Sequence, residues 1–203
     1  MNTTHVLSLL SLLALVACKP DAPVGLPLLG SGAHVATSVT MTDVVTAEDD
    51  LDEPRDIAFH PDNPGQAWIV NRGDTSVVIV DDLGGDGQSA DQRKGSGGGH
   101  YLSQPVALAF GDDGAFATIA EEDQPTQGNA TPGDFMGPTL WTADPDDFDA
   151  GAESHIDMLH NSPNGMGIAW ESGNAYWVFD GDHGAIAADE HRCFLKSRFL
   201  RVV

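Results

Sequence analysis

Three groups of residues carry side chains suited to chemistry. Asp180, Asp182 and His183 fall in one Gly-containing turn, Asp180-Gly181-Asp182-His183-Gly184. Carboxylates and an imidazole at that spacing suit a transition metal, and they equally make a solvated acidic turn. His155 and His160 stand near them in sequence, but on one strand an odd spacing turns them to opposite faces. Asp81-Asp82-Leu83-Gly84-Gly85-Asp86-Gly87 offers oxygen ligands for calcium. It lacks the alternating Asp positions and the closing Glu of a helix-loop-helix calcium site, so it reads as a flexible loop. Gly-x-Ser-x-Gly, Cys-x-x-Cys, Walker and dinucleotide fingerprints are all missing from the sequence.

Around these groups the chain is organised mainly by strand signals. Val35 to Val45 is β-branched and Thr-rich, and predicts a strand. Ile57-Ala58-Phe59, Ala67 to Val70 and Val77 to Val80 follow, separated by turn clusters. Asp81 to Gly99 reads as a Gly/Asp/Ser loop. Val106 to Phe110, Ala115 to Ala120, Thr139 to Thr142, His155 to Leu159, Gly167 to Trp170, Ala175 to Phe179 and Ala185 to Ala187 predict further strands, with an insertion at Glu121 to Gly137. Trp68, Trp141, Trp170 and Trp177 are expected in the core rather than on a sugar-binding platform. The fold class is therefore all-β.

Composition narrows the partners. The 203 residues carry 31 acidic against 9 basic side chains, a net charge of -22. Phosphate backbones would be repelled, so nucleic acid is not an expected partner. Such acidity serves solubility, and it also raises the local concentration of divalent cations. Arg192, Lys196, Arg198 and Arg201 crowd into the end of the chain, out of keeping with the acidic, Gly-rich style before it. A basic closing strand explains this, as does a frameshifted or truncated reading frame, which is the expectation here.

The first residues have a separate logic. Val6 to Ala17 is apolar and too short to span a bilayer, which takes ~20 residues. It has the length of a signal-peptide core. Leu15-Val16-Ala17-Cys18 resembles the lipobox of bacterial lipoproteins, although the preceding residues contain no Lys or Arg. The resemblance implies cleavage before Cys18 and acylation of its sulfur. Residues 1–17 would then be the signal peptide and 18–32 a Pro-rich tether. Residues 33–191 would form the folded part, and 192–203 the atypical tail. Lys19 follows the cysteine where inner-membrane lipoproteins have Asp, which favours the outer membrane. The expected location is the cell envelope, with the membrane reached through the lipid anchor. With Cys18 lipidated, Cys193 has no partner within the chain.

The strand segments also repeat. Glu53-Pro54-Arg55-Asp56-Ile57-Ala58-Phe59, Gln104-Pro105-Val106-Ala107-Leu108-Ala109-Phe110 and Ser162-Pro163-Asn164-Gly165-Met166-Gly167-Ile168-Ala169-Trp170 share Pro, small or polar residues, an aliphatic, Ala and an aromatic. Their spacing of roughly 50 to 60 residues suits propeller blades with insertions. Pro-x-x-Ile-Ala-Phe, turn, Trp-Ile-Val-Asn, turn, Val-Ile-Val-Asp resembles an NHL-type β-propeller blade. Such propellers usually have six blades, and this chain has room for about three. Either the chain is a fragment, which is the preferred expectation, or two copies pair.

Two propeller enzyme families bear on function. Zinc-dependent peptidyl-hydroxyglycine lyases place a His after the leading Pro of several blades. Arg55, Val106 and Asn164 stand there instead, which disfavours that reading. Pro163-Asn164-Gly165-Met166 with Trp170 and Tyr176-Trp177-Val178 resembles one blade of the gluconolactonase/regucalcin family. That resemblance implies Asn164 on a divalent cation, calcium or zinc, with Glu53 as a further ligand, although Glu53 sits one residue out of register. The expected function is binding of a protein or small-molecule ligand by a lipid-anchored propeller. The alternative is a metal-dependent, lactonase-like hydrolase.

Overall fold

The apolar runs, separated by turn clusters, pair into antiparallel sheets. The computed structural model describes residues 41–95, 101–122, 137–150, 155–158, 164–181 and 184–190. The chain divides into two units, Met1–Thr42 and Asp43–Val203, and all the elements below belong to the second. Pro54–Phe59 (β1), Ala67–Asn71 (β2), Ser76–Asp81 (β3) and Ser89–Arg93 (β4) make the first sheet. Pro105–Phe110 (β5), Ala115–Ala120 (β6), Thr139–Thr142 (β7) and His155–Met158 (β8) make the second. Ile168–Ser172 (β9), Ala175–Asp180 (β10) and Ala185–Glu190 (β11) make the third. Each sheet is an antiparallel meander with strands in chain order. The only α-helix among the described residues is the single turn Pro145–Phe148 (α1), capped by Asp144, whose side chain accepts from the Asp146 and Asp147 amides. No helix among the described residues is long and apolar enough to cross a membrane. The protein is thus all-β, as its strand patterning predicts.

The sheets stack through their first strands, β1 against β5 and β5 against β9. One face of the first sheet presents Trp68, Val70, Val77 and Ile79 to Leu108, Phe116 and Trp141 of the second. Phe148 of α1 plugs the same cluster, which explains why so short a helix persists. The second sheet meets the third through smaller residues. Ala107 and Ile119 contact Val178, and Ala115, Ala117 and Leu140 contact Tyr176. One side-chain bond also crosses between first strands, from the Leu108 amide to Asp56 Oδ2 at 3.0 Å. Because β2 and β3 are buried on both faces, they read as unbroken apolar runs.

Three expectations are corrected. Residues 41–45 do not form a strand, and residues 35–40 lie outside the described residues. Val45 instead packs onto the outer face of the first sheet, over Ile69, Val78 and Val80. Thr46 then caps a 3-10 turn, Ala47–Asp49, in a reciprocal capping box with Asp49. The supposed loop from Asp81 to Gly99 contains β4, paired with β3 in full register from Asp81↔Ser89 to Val77↔Arg93. As an edge strand β4 has no fully buried residue, so its polar Ser-Ala-Asp-Gln-Arg sequence hides it. Trp68 and Trp141 are fully buried, but Trp170 and Trp177 are exposed on the third sheet, which among the described residues has a neighbouring sheet on one face only.

Candidate functional site: the lead-in end of the sheets

The residue that leads into each first strand has an unusual backbone. Glu53, Gln104 and Asn164 all have positive φ, at 49°, 40° and 54°. A left-handed conformation costs a non-glycine residue roughly 1–2 kcal/mol, and it persists only where surrounding contacts over-determine it. Here the contacts repeat. The Arg72 amide donates to the Glu53 carbonyl at 3.2 Å, and the Glu121 amide to the Gln104 carbonyl at 3.1 Å. At the third station Gly181 lies so close to the Asn164 carbonyl that a Cβ there would collide with it. Arg72, Glu121 and Gly181 each follow the last residue of a second strand. In the first two sheets pairing also slips just after the leading proline, between Pro54 and Asp56 and between Pro105 and Ala107.

Glu53 and Asn164 therefore occupy equivalent backbone stations, although Glu53 precedes its proline and Asn164 follows one. Counted from the shared aliphatic, Glu53 precedes Ile57, Gln104 precedes Leu108 and Asn164 precedes Ile168 by the same interval. Aligning on the prolines obscured this, because Pro163 comes before the left-handed residue whereas Pro54 and Pro105 come after it. Asn164 owes its place to two amide bonds. Its own amide donates to the Glu122 carbonyl, and that of Gly165 to the Ala120 carbonyl, both at 2.9 Å. Gly165 is needed for close approach to the Ile119 side chain, not for a left-handed turn.

The centre of this end is Arg72, which sequence reasoning missed. Its Nε donates to Glu121 at 3.0 Å, one terminal nitrogen to Glu53 at 3.2 Å, and the other to Gln104 Oε1 at 2.8 Å. Arg55 lies 3.6 Å from the same Glu53 oxygen. Glu122 is buried alongside, its carboxylate accepting from Ser103 Oγ at 2.7 Å and from Gln104 Nε2 at 3.4 Å. The available signal was the position of Arg72 directly after Trp68-Ile69-Val70-Asn71, in a chain with 9 basic residues. Asp180 is buried at the end of β10, at the station Asn71 holds in β2, and the next residue is the Gly181 that abuts Asn164. Cys18, Asp182, His183 and His160 lie outside the described residues. His155 stacks flat on Tyr101, with ring centroids 3.9 Å apart. Among the described residues no three His, Cys, Asp or Glu side chains converge in a group that could hold a metal ion.

The opposite end holds a small open pocket of 190 Å³ lined by His60, Asp62, Phe110, Asp112 and Ala143 among others. His60 packs against Phe110 with centroids 4.9 Å apart, and its Nδ1 accepts from the Asp62 amide at 3.2 Å. Partial burial pushes its pKa below the ordinary histidine value, against the opposing pull of the Asp62 charge.

No family model matches the chain, and no curated protein matches it.

The His60 environment yields a pH prediction. A lowered folded-state pKa means that the unfolded chain takes up the proton first. The His60 contribution to stability is then complete above about pH 6.5, the unfolded value, and declines as pH falls from there through the folded pKa. NMR titration should find the His60 midpoint below 6.5, and His60→Gln should flatten the loss of stability across that window. A midpoint above 6.5 would contradict the burial described.

Proposed function

We propose that this chain is an exported, lipid-anchored protein of β-propeller type that binds a protein or small-molecule ligand at the cell envelope. One observation carries the binding reading: successive sheets open on a left-handed residue at one end, and Arg72 gathers two of those stations into one polar surface. In propellers ligands meet the ends of the inner strands. Here β1, β5 and β9 are the strands through which the sheets pack. The anchor reading rests on Leu15-Val16-Ala17-Cys18 and the apolar core before it. Lipid on Cys18 would hold the protein at a membrane through the Pro-rich segment that follows it. The acidic surface favours cationic ligands over nucleic acid.

A second reading, a divalent-metal lactonase-like hydrolase, gains from the equivalence of Glu53 and Asn164. Their surroundings do not fit a hard cation as they stand. The Glu53 carboxylate is held by Arg72 and approached by Arg55, so positive charge occupies the position a cation would need. Asp180 is at the same end, while Asp182 and His183 are outside the described residues.

One measurement tests the anchor, and a second separates the two readings of the site. Palmitate labelling in cells should be lost in Cys18→Ser, with unprocessed precursor accumulating, and unchanged labelling would refute the anchor. Calorimetric titration with calcium and with zinc should give no heat assignable to Asn164, so wild type and Asn164→Ala should behave alike. Tight binding abolished by Asn164→Ala would establish the metal reading instead.

A further inference from the structure

The two outermost sheet faces are apolar and open. On the first sheet Ile57 and Phe59 of β1 are exposed, Phe59 by 63%. On the third, Trp177, Phe179 and Ile186 are exposed, Phe179 by 52%. Contiguous aromatic and aliphatic surface of this kind marks an interaction site.

The internal joints say what these faces fit. Leu108 and Phe110 of β5 face back to the first sheet, whereas Ala107 and Ala109 face on to the third. By the shared pattern Ile57 and Phe59 stand at the positions of Leu108 and Phe110. Pairing sets the complementary half. Trp68 opposes Ala58, and Val70 opposes Val77. Likewise Trp177 opposes Ala169, and Phe179 opposes Ile186. Trp177, Phe179 and Ile186 therefore repeat Trp68, Val70 and Val77, the face that receives Leu108 and Phe110 in the joint between the first two sheets. The open face of the third sheet is the receiving half of a joint, and that of the first sheet is the inserting half. Val45 and Leu51 already cover the outer part of the first sheet's face, over Ile69, Val78 and Val80. They leave bare β1, and first strands are what the internal joints bring together.

We propose that a second copy of this chain covers both faces, the third sheet of each copy packing on the first sheet of the other. In such a pair the two contacts are related by one twofold axis and use both faces of each copy, which leaves none to extend a fibre. The proposal shares only the recurring joint with the binding reading above. An association through two like faces would overturn it and leave that reading standing.

Sedimentation of the full chain in mild detergent tests this. Wild type should run as a dimer at micromolar concentration. Phe59→Asp and Phe179→Asp, both at exposed positions, should each run as monomers with unchanged circular dichroism. Mixing the two variants should restore dimers, because the pair keeps one intact joint between the wild-type third sheet of one copy and the wild-type first sheet of the other. A wild-type monomer, a dimer indifferent to either substitution, or no recovery on mixing would each overturn the proposal.

Discussion

Trp68 is the contact on which the arrangement of the first two sheets depends. Its ring meets Phe116 at 4.9 Å and Phe110 at 5.4 Å between centroids, both edge-on, and Phe148 at 6.1 Å. Edge-to-face pairs at these separations add roughly 0.5–1.5 kcal/mol each beyond the area they bury. The indole N–H is also satisfied, donating to Gln66 Oε1 at 3.0 Å, and Gln66 in turn donates to Asp81. A large ring with a fixed polar edge admits few orientations, so it sets both the spacing and the register of the joint. Trp141 supports it from the second sheet, edge-on to Phe148 and donating to Thr118 Oγ1 at 2.9 Å.

The polar end follows from that joint. Once β1 lies against β5, Glu53 and Gln104 are carried to the same end, where one guanidinium reaches both. The left-handed backbone at Glu53 and Gln104 is then held by bonds from the residue that follows the second strand of each sheet, and that at Asn164 by bonds to Ala120 of the neighbouring sheet and to Glu122 just beyond it. The strain sits at this polar end, and the aromatic joint at the centre offsets it. The joint between the second and third sheets is built from Ala and single aliphatic residues and is the thinner of the two.

What could be read from the sequence was what burial imposes on it. The runs Ala67 to Val70 and Val77 to Val80 are apolar because both faces are covered, and the strands extend beyond them only by the polar residues Asn71, Ser76 and Asp81. β4 was hidden because an edge strand needs few apolar residues, and Val45 misled because a β-branched residue packs equally well on a sheet's face. Trp170 and Trp177 have the composition of core residues, and only the stacking order reveals that their sheet has one open side. At the site, the residue types of Glu53 and Asn164 were visible, but their equivalence was not, since a proline on opposite sides of the left-handed residue shifts the apparent register. Arg72 acts through contacts distant in sequence, with Gln104 and Glu121, and no local pattern announces it.

The central claim, that the aromatic joint couples the first sheet to the second, is tested most directly by a double-mutant cycle. Trp68→Leu, Phe116→Leu and the double variant would be compared with wild type by urea unfolding. A coupling of about 0.5–1.5 kcal/mol between the two positions is the predicted result. Losses that add to within about 0.3 kcal/mol would show that the two rings do not act on each other, and would contradict the account.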